Sequence, residues 1–582
     1  MENAMRKKTI EIKDDLSLVI CGSAGQGIQT VERILTQLLK RAGFHIFGTK
    51  EYMSRVRGGS NSTEIRVSST SLPALVDRID LLIPLNQEAL EHVRTRITEN
   101  TLILADKDQL NITDKEAGAR VIDIPFSRLA KEMGGAIYAN SVAAGLVARL
   151  FSLDRESVTH LLDRLFAKNK PEVLENNRKA AEKGFGIGRN LVEAGEISIY
   201  IEPHPDTPEN VLINGAEAVG IGAIAGGCNF ISSYPMSPST AVLVFLSGQA
   251  EKFGIISEQA EDEISAVNMM LGAWYAGARA MVTTSGGGFA LMEEGVSLAG
   301  IMESPAVIHL AQRPGPGTGL PTRTAQGDLQ LALYSGHGDF PRIILAPGRL
   351  EEAVYLTRDA FHLAAKFQIP VFILTDQYFI DSYYNLPALD LGDNNRGQEI
   401  IETDSDYERY RITENGVSPR GVPAYGKGLV VTDSDEHDED GHITEDLQMR
   451  VAMVDKRKRK LHEMQKEAFP PELAGKDGYH TLLIGWGSTY PIIREAWSIL
   501  GRDDVAFLHF KQVYPLHPDT SAYLGKAKRR IVIEGNSDAQ FASILSLQTH
   551  LEIHETVLKY NGAQFSVEDL TERLEKTLGK KE

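Results

Sequence analysis

Cysteine is nearly missing: among 582 residues only Cys21 and Cys228 carry a thiol. Two thiols exclude a disulfide scaffold and suggest a reducing compartment. They also exclude a self-contained cubane iron–sulfur cluster, which takes four thiolates. Basic residues are in the minority, with 61 Lys and Arg against 79 Asp and Glu, for a net charge of −18. That balance argues against sequence-independent nucleic-acid binding, which rests on cations against phosphate. No apolar run approaches the ~18 residues of a membrane span. The opening MENAMRKKTIEIKDD has no apolar core, so it does not read as a secretory signal. Hydrophobic residues make up 42% of the chain, enough at this length for several cores. The length, about four times a typical single domain, predicts three or four domains. A cytoplasmic protein without nucleic-acid or membrane partners is expected.

The order of elements predicts an α/β fold. A first segment, 12–195, opens with the apolar run Leu16 to Cys21, a glycine-rich turn and a helical pattern from Ile28 to Ala42. The polar stretch IEPHPDTPEN at 201–210 reads as a linker. A second segment, 211–390, alternates short buried strands with helices, which implies a parallel sheet covered on both faces. Residues 391–470 are crowded with charge and end in the basic stretch VDKRKRKLHEMQKE. They read either as a solvated connector with an exposed helix or as an ordered excursion over a neighbouring subunit. A last segment, 477–582, returns to the α/β pattern.

Six motifs stand out. Gly22-Ser-Ala-Gly25-Gln-Gly27 lies between a predicted strand and helix, where backbone N–H groups can meet an anion. Its GxxGxG spacing is not the dinucleotide GxGxxG, so a nicotinamide site is not favoured, and a tight packing turn would explain it too. Arg57-Gly58-Gly59 follows, suited to a pyrophosphate or to an interface carboxylate. Tyr234-Pro235-Met236-Ser237-Pro238 stiffens a hydroxyl residue at a strand end, where ligands of open α/β sheets sit. Glu261, Asp262 and Glu263 precede an apolar helix. Dipole capping explains the first two, but Glu263 borders a helix that reads as wholly buried, and a desolvated carboxyl has a raised pKa. Gly286, Gly287 and Gly288 form a glycine loop after another strand. Arg313 and Arg323 frame a proline- and glycine-rich loop that suits a carboxylate or phosphate clamp.

Taken together these motifs resemble a known family. GSAGQGIQT with RVRGGSNS is similar to the gamma-type domain of the 2-oxoacid:ferredoxin oxidoreductases. YPMSPST, AEDEISAVNMMLGAWYAGARAMVTTSGGGFALM and HLAQRPGPGTGLPTR resemble their alpha subunit, and SPRGVP…DEHDEDGHITED resembles the connector of the 2-oxoglutarate type. The order is gamma then alpha, over nearly the whole chain. The resemblance implies three α/β domains: a gamma-type domain (12–195), a thiamine-fold pyrimidine-binding domain (211–390) and, after the charged connector (391–470), a transketolase C-terminal-like domain (477–582).

The implied activity is oxidative decarboxylation of a 2-oxoacid with coenzyme A to an acyl-CoA and CO2. It uses thiamine diphosphate and passes electrons to ferredoxin. The fused layout and the connector favour 2-oxoglutarate. The same chemistry on pyruvate or a branched-chain 2-oxoacid, or a non-catalytic CoA-binding scaffold, are the alternatives. In the family a beta subunit holds the diphosphate and Mg²⁺ and carries the iron–sulfur cluster. This sequence has no GDG followed by a suitably spaced Asn, so the chain is expected to supply half of a site, with no metal ligand of its own, in a dimer of alpha–beta units. Residue by residue, the resemblance gives Glu263 the aminopyrimidine ring nitrogen, with Tyr234, Pro235 and Gly286 to Gly288 around the cofactor. Ser237, where the family usually has Thr, takes the substrate's carbonyl or carboxylate. Arg313, with Arg323 as the alternative, takes the C1 carboxylate. Gly22, Gly25, Gly27, Arg57, Gly58 and Gly59 are the candidates for the CoA side.

Overall fold

The computed structural model describes residues 10–23, 27–53, 59–110, 112–113, 117–392 and 399–579. The chain forms two compact units. None of the helices among the described residues is long and apolar enough to cross a membrane.

The first unit holds Met1–Ile213, Ser382–Ala388 and Ser566–Glu568. Its sheet has eight strands in the order Arg120–Asp123, Leu102–Ala105, Leu81–Pro84, Asp15–Ser23, Ser60–Ser68, His45–Glu51, Tyr383–Leu386 and Val211–Asn214. Asp15–Ser23 is buried almost throughout, as its apolar run requires. It pairs in parallel with Leu81–Pro84 and antiparallel with Ser60–Ser68. The following helix, Ile28–Arg41, buries Ile28, Val31, Ile34, Leu35, Leu38 and Leu39. That spacing of three and four residues makes a single apolar stripe against the sheet. The sequence reading carried Tyr383–Leu386 with the second segment. Here it pairs antiparallel with His45–Glu51, and Asn385 fixes the register by accepting from Ile46 N at 2.7 Å and donating to Phe44 O at 3.1 Å.

The second unit holds Asn214–Asp381, Leu389–Phe565 and Asp569–Glu582. Its larger sheet runs Ile256–Gln259, Phe230–Ser233, Ala280–Thr284, Ala306–Gln312, Pro370–Asp376, Ile343–Leu345 and Gln512–Tyr514. Six of these strands are parallel and the last is antiparallel. The central strands are buried on both faces, which accounts for their continuous apolar sequences. A buried polar rung crosses three of them: His309 joins Thr283 Oγ1 at 2.7 Å and Thr375 Oγ1 at 2.8 Å. Burial pushes the His309 imidazole down to about 3, so it is neutral in this rung. A five-stranded sheet follows in the same unit, ordered Glu472–Ala474, Val505–Phe510, Thr481–Trp486, Arg529–Glu534 and Glu555–Leu558.

The expectation of an exposed basic helix in the connector does not hold. The helix is Leu447–Lys466, and Lys456, Arg457 and Lys460 are buried. Glu303, 1% exposed, stands between the two ammonium groups, 2.5 Å from each. Glu303 lies in the turn before Ala306–Gln312. Arg409 from the connector donates to the carbonyl of the same residue at 2.9 Å. The connector thus grips the base of a strand whose far end carries Arg313.

Candidate functional site

In the larger sheet, three adjacent parallel strands deliver three of the motifs to one edge. Phe230–Ser233 runs into Tyr234 to Pro238, Ala280–Thr284 into Ser285 and the glycines, and Ala306–Gln312 into Arg313. This carboxyl edge is where an open α/β sheet receives ligands. Glu263 arrives from the neighbouring edge strand, as the first residue of the helix Glu263–Tyr275.

The acidic cluster divides its work. Asp262 is the helix cap and accepts from Ser265 N at 2.7 Å. Glu263 is 3% exposed, and its Oε1 is buried without a hydrogen-bond partner. Burial raises the Glu263 carboxyl above its ordinary value; Asp262 adds to the rise and Arg313 opposes it. The three glycines read from sequence as a loop are the helix Gly286–Phe289. Gly288 must lack a side chain: a Cβ there would lie 2.5 Å from Glu263 Oε1. A missing side chain and an unpaired carboxyl oxygen thus face each other.

Arg313 Nη1 donates to Ser237 O at 2.8 Å, which joins the arginine to the proline-bracketed turn. Ser237 and Tyr234 are exposed, and Pro235 is half-buried. Arg323 is half-buried further along the loop; its N donates to Leu320 O at 3.0 Å, and its Cβ lies beside Gly562. Among the described contacts it is therefore Arg313 that gathers with Ser237 and Glu263.

The sequence reading missed Asp328. Its carboxyl fills the space where a side chain at Gly286 would go, and its Oδ2 is buried without a partner. Burial pushes it up to about 6, against the pull of Arg313. The only signal in the sequence was a single acid after a Pro/Gly-rich loop. A cavity of about 530 Å³ in the same unit, bordered by Asn268, Ser297, His337 and Arg457, includes none of these residues.

In the first unit, Gly22 is a buried strand residue paired with Asn61. Gly27 precedes the helix with φ 79°, and a side chain there would strike the Asn140 amide. Gly59 has φ 82° and packs on Met53. Gly25, Arg57 and Gly58 lie outside the described residues.

Comparison with known proteins places this geometry. Residues 221–456 match the family model described as pyruvate flavodoxin/ferredoxin oxidoreductase, thiamine diP-binding. Residues 17–187 match pyruvate ferredoxin/flavodoxin oxidoreductase. The 2-oxoacid:ferredoxin oxidoreductase subunit alpha of Sulfolobus sp is 30% identical over 625 aligned positions, covering 97% of each chain. The chain belongs to the 2-oxoacid:ferredoxin oxidoreductase alpha-subunit family. It is an oxidoreductase chain of the α/β class. The 2-oxoglutarate synthase subunit KorA of Archaeoglobus fulgidus is 34% identical over 332 positions, covering 56% of this chain and 89% of the relative. The solved structure of 2-oxoglutarate:ferredoxin oxidoreductase from Magnetococcus marinus with 2-oxoglutarate, coenzyme A and succinyl-CoA bound superposes with a TM-score of 0.90. It is 30% identical, with 97% of this chain and 100% of that chain covered.

For an enzyme of this family the Gly288 contact carries a prediction. Gly288→Ala would push a methyl group against Glu263 and Thr284. The expected result is at least a ~10-fold loss of 2-oxoacid-dependent dye reduction, since small misplacements of a reacting geometry cost that much or more. Wild-type rates in the alanine variant would show that Glu263 has room to move.

Proposed function

We propose that this chain is the alpha half of a CoA-acylating 2-oxoacid oxidoreductase whose substrate is 2-oxoglutarate. The observation that carries the proposal is the buried Oε1 of Glu263, without a hydrogen-bond partner and packed against Gly288, where no side chain would fit. The residues present fit an aminopyrimidine: Glu263 Oε1 is a buried carboxyl oxygen without a partner, available to a ring nitrogen. Thiamine diphosphate, when bound, supplies the carbanion chemistry of decarboxylation. Glu263 holds a proton at Oε1 against the ring, and its burial favours the protonated form more than water does. Gly286, Gly287 and Gly288 let the cofactor approach the backbone, with Tyr234 and Pro235 beside it. Ser237 offers its hydroxyl to the substrate. Arg313 offers its guanidinium to the C1 carboxylate, with Arg323 as the alternative.

The wider assignment follows the family. A beta subunit carries the diphosphate, Mg²⁺ and iron–sulfur cluster, and two alpha–beta units assemble in the cytoplasm and reduce ferredoxin. Residues 12–195 form the gamma-type domain, 211–390 the pyrimidine-binding domain and 477–582 the transketolase C-terminal-like domain, with the connector at 391–470. CoA is assigned to the gamma side, near Gly22, Gly25, Gly27, Arg57, Gly58 and Gly59. The choice of 2-oxoglutarate is supported by the two relatives named for that substrate.

Arg313→Ala in the co-expressed alpha–beta enzyme is expected to raise KM for 2-oxoglutarate at least ~30-fold, the loss of a charge-assisted pair of about 2 kcal/mol. KM for CoA should hold within twofold. A screen of 2-oxoacids with the same preparation decides the substrate: a higher kcat/KM for pyruvate than for 2-oxoglutarate would overturn that choice.

A further inference from the structure

The loop from Arg323 to the helix Leu329–Tyr334 is tied down on two sides. Toward the five-stranded sheet, Gln326 N donates to Gly535 O at 2.8 Å and Thr324 N to Gly562 O at 3.0 Å. The Gln326 side chain is 2% exposed. Its Nε2 donates to Trp486 O at 2.9 Å, and its Oε1 accepts from Gly535 N at 2.8 Å. Asn536 Nδ2 donates to Gln326 O at 3.0 Å, and Gln540 Nε2 to Gly327 O at 2.8 Å. Gln330 N donates back to Gln540 Oε1 at 3.0 Å. Toward the larger sheet, Asp328 N donates to Gln312 Oε1 at 3.0 Å, and Gln312 Nε2 to Thr375 O at 3.1 Å. Gln312 immediately precedes Arg313. The chain enters the loop through Gly315, Gly317 and Gly319, the last two at φ 62° and 54°, in a turn closed by Leu320 N donating to Pro314 O at 3.0 Å. The near end is held by Thr324, whose Oγ1 donates to Asp376 Oδ1 at 3.0 Å, and the far end by Gln326, whose side-chain amide N–H and carbonyl both bond to backbone.

We propose that Gln326 is a positioning residue for the 2-oxoacid site. Through it the five-stranded sheet fixes where Asp328 stands beside Arg313 and Gly286. The proposal rests on the reading of Arg313 as the substrate-carboxylate residue. The Gln326 side chain hydrogen-bonds to backbone of the five-stranded sheet and to none of the substrate-site residues, so its influence runs through the loop. A methionine of similar size would leave Gly535 N without a partner in a buried place, and would take from Trp486 O one of its two donors, Thr489 Oγ1 at 2.8 Å being the other. The loop relieves that by backing away, and the carboxylate site loosens with it.

The test uses the assembled alpha–beta enzyme carrying Gln326→Met, with Gln540→Ala as the second variant should the first fail to assemble. KM for the 2-oxoacid is expected to rise ~10-fold or more, with kcat within about threefold and KM for CoA within twofold. Trypsin should cut the Arg323–Thr324 bond faster than in the wild type. In an Arg313→Lys background the added effect of Gln326→Met on KM should shrink, because both changes act on one unit. A purely structural role would lower the thermal midpoint and leave the ratio of KM to kcat alone. Faster cutting at Arg323 with an unchanged 2-oxoacid KM overturns the inference while the reading of Arg313 stands. An unchanged KM in Arg313→Ala overturns that reading instead.

Discussion

Glu263→Gln is expected to lower 2-oxoacid-dependent reduction of a viologen dye by ~10²- to 10⁴-fold, the usual contribution of one positioned proton donor or acceptor. The substitution keeps the shape of the side chain, so Gly288 and the helix Glu263–Tyr275 have no reason to move. What disappears is the ability to pass between carboxyl and carboxylate. In this pocket burial has brought those two states closer in energy than they are in water. The amide also presents a donor where the charged form offers only acceptors. Thiamine diphosphate affinity, followed separately by tryptophan fluorescence on the assembled enzyme, should weaken far less than the rate falls. Glu263→Asp should recover part of the rate with a changed pH profile. Full activity in the glutamine variant would remove Glu263 from the proton path.

The second large effect concerns stability. Glu303→Gln would leave Lys456 and Lys460 buried side by side without their shared counter-ion. Breaking one partner out of such a buried group costs about 3–5 kcal/mol. The measurement is the urea midpoint of the enzyme at pH 7. The two lysines hold the Glu303 carboxyl below the ordinary range despite its burial. A depressed carboxyl stabilises the fold above its unfolded pKa, roughly 4.3 for Glu. That stabilisation is lost as pH falls from there toward the folded value. The gap between wild type and Glu303→Gln should accordingly be full at pH 7 and narrow below about pH 4. Replacing all three residues with methionine should restore most of the loss, since a packed apolar group avoids the desolvation cost. A midpoint shift worth less than about 1 kcal/mol would mean that water reaches the two ammonium groups.

Much of the candidate site's placement was legible because its motifs sit at strand ends, and strand ends show in a linear sequence. Tyr234 to Pro238, the glycines and Arg313 each follow an apolar run directly, and parallel neighbours in the sheet bring them together. The edge position of Glu263 was legible for the same reason: an acid at the mouth of an apolar helix has few ways to stay in water. Gln326 and Asp328 were not legible. The surroundings of Gln326 come from Gly535 and Asn536, about two hundred residues away, and those of Asp328 from Gly286 and Gln312 at the ends of neighbouring strands, and no local pattern announces such pairings. The connector misled for a different reason. Its helix turns Lys456, Arg457 and Lys460 inward, so the face that looked solvated is the packed one. The composition of Gly286 to Gly288 reads as a loop, yet they begin a helix, and two of them are glycine because Asp328 and Glu263 occupy the space side chains at Gly286 and Gly288 would need.

The strand Tyr383–Leu386 has a consequence for dissecting the molecule. The polypeptide departs from its second body at Asp381, lends four residues to the sheet of the first, and returns at Leu389. Severing the backbone near residue 205 would therefore not release two self-sufficient fragments. The N-terminal piece would be left with a bare sheet margin at His45–Glu51 and a tendency to self-associate there. Recovery would depend on strand complementation by the other fragment, so a split version of this protein should behave as a reassembling pair.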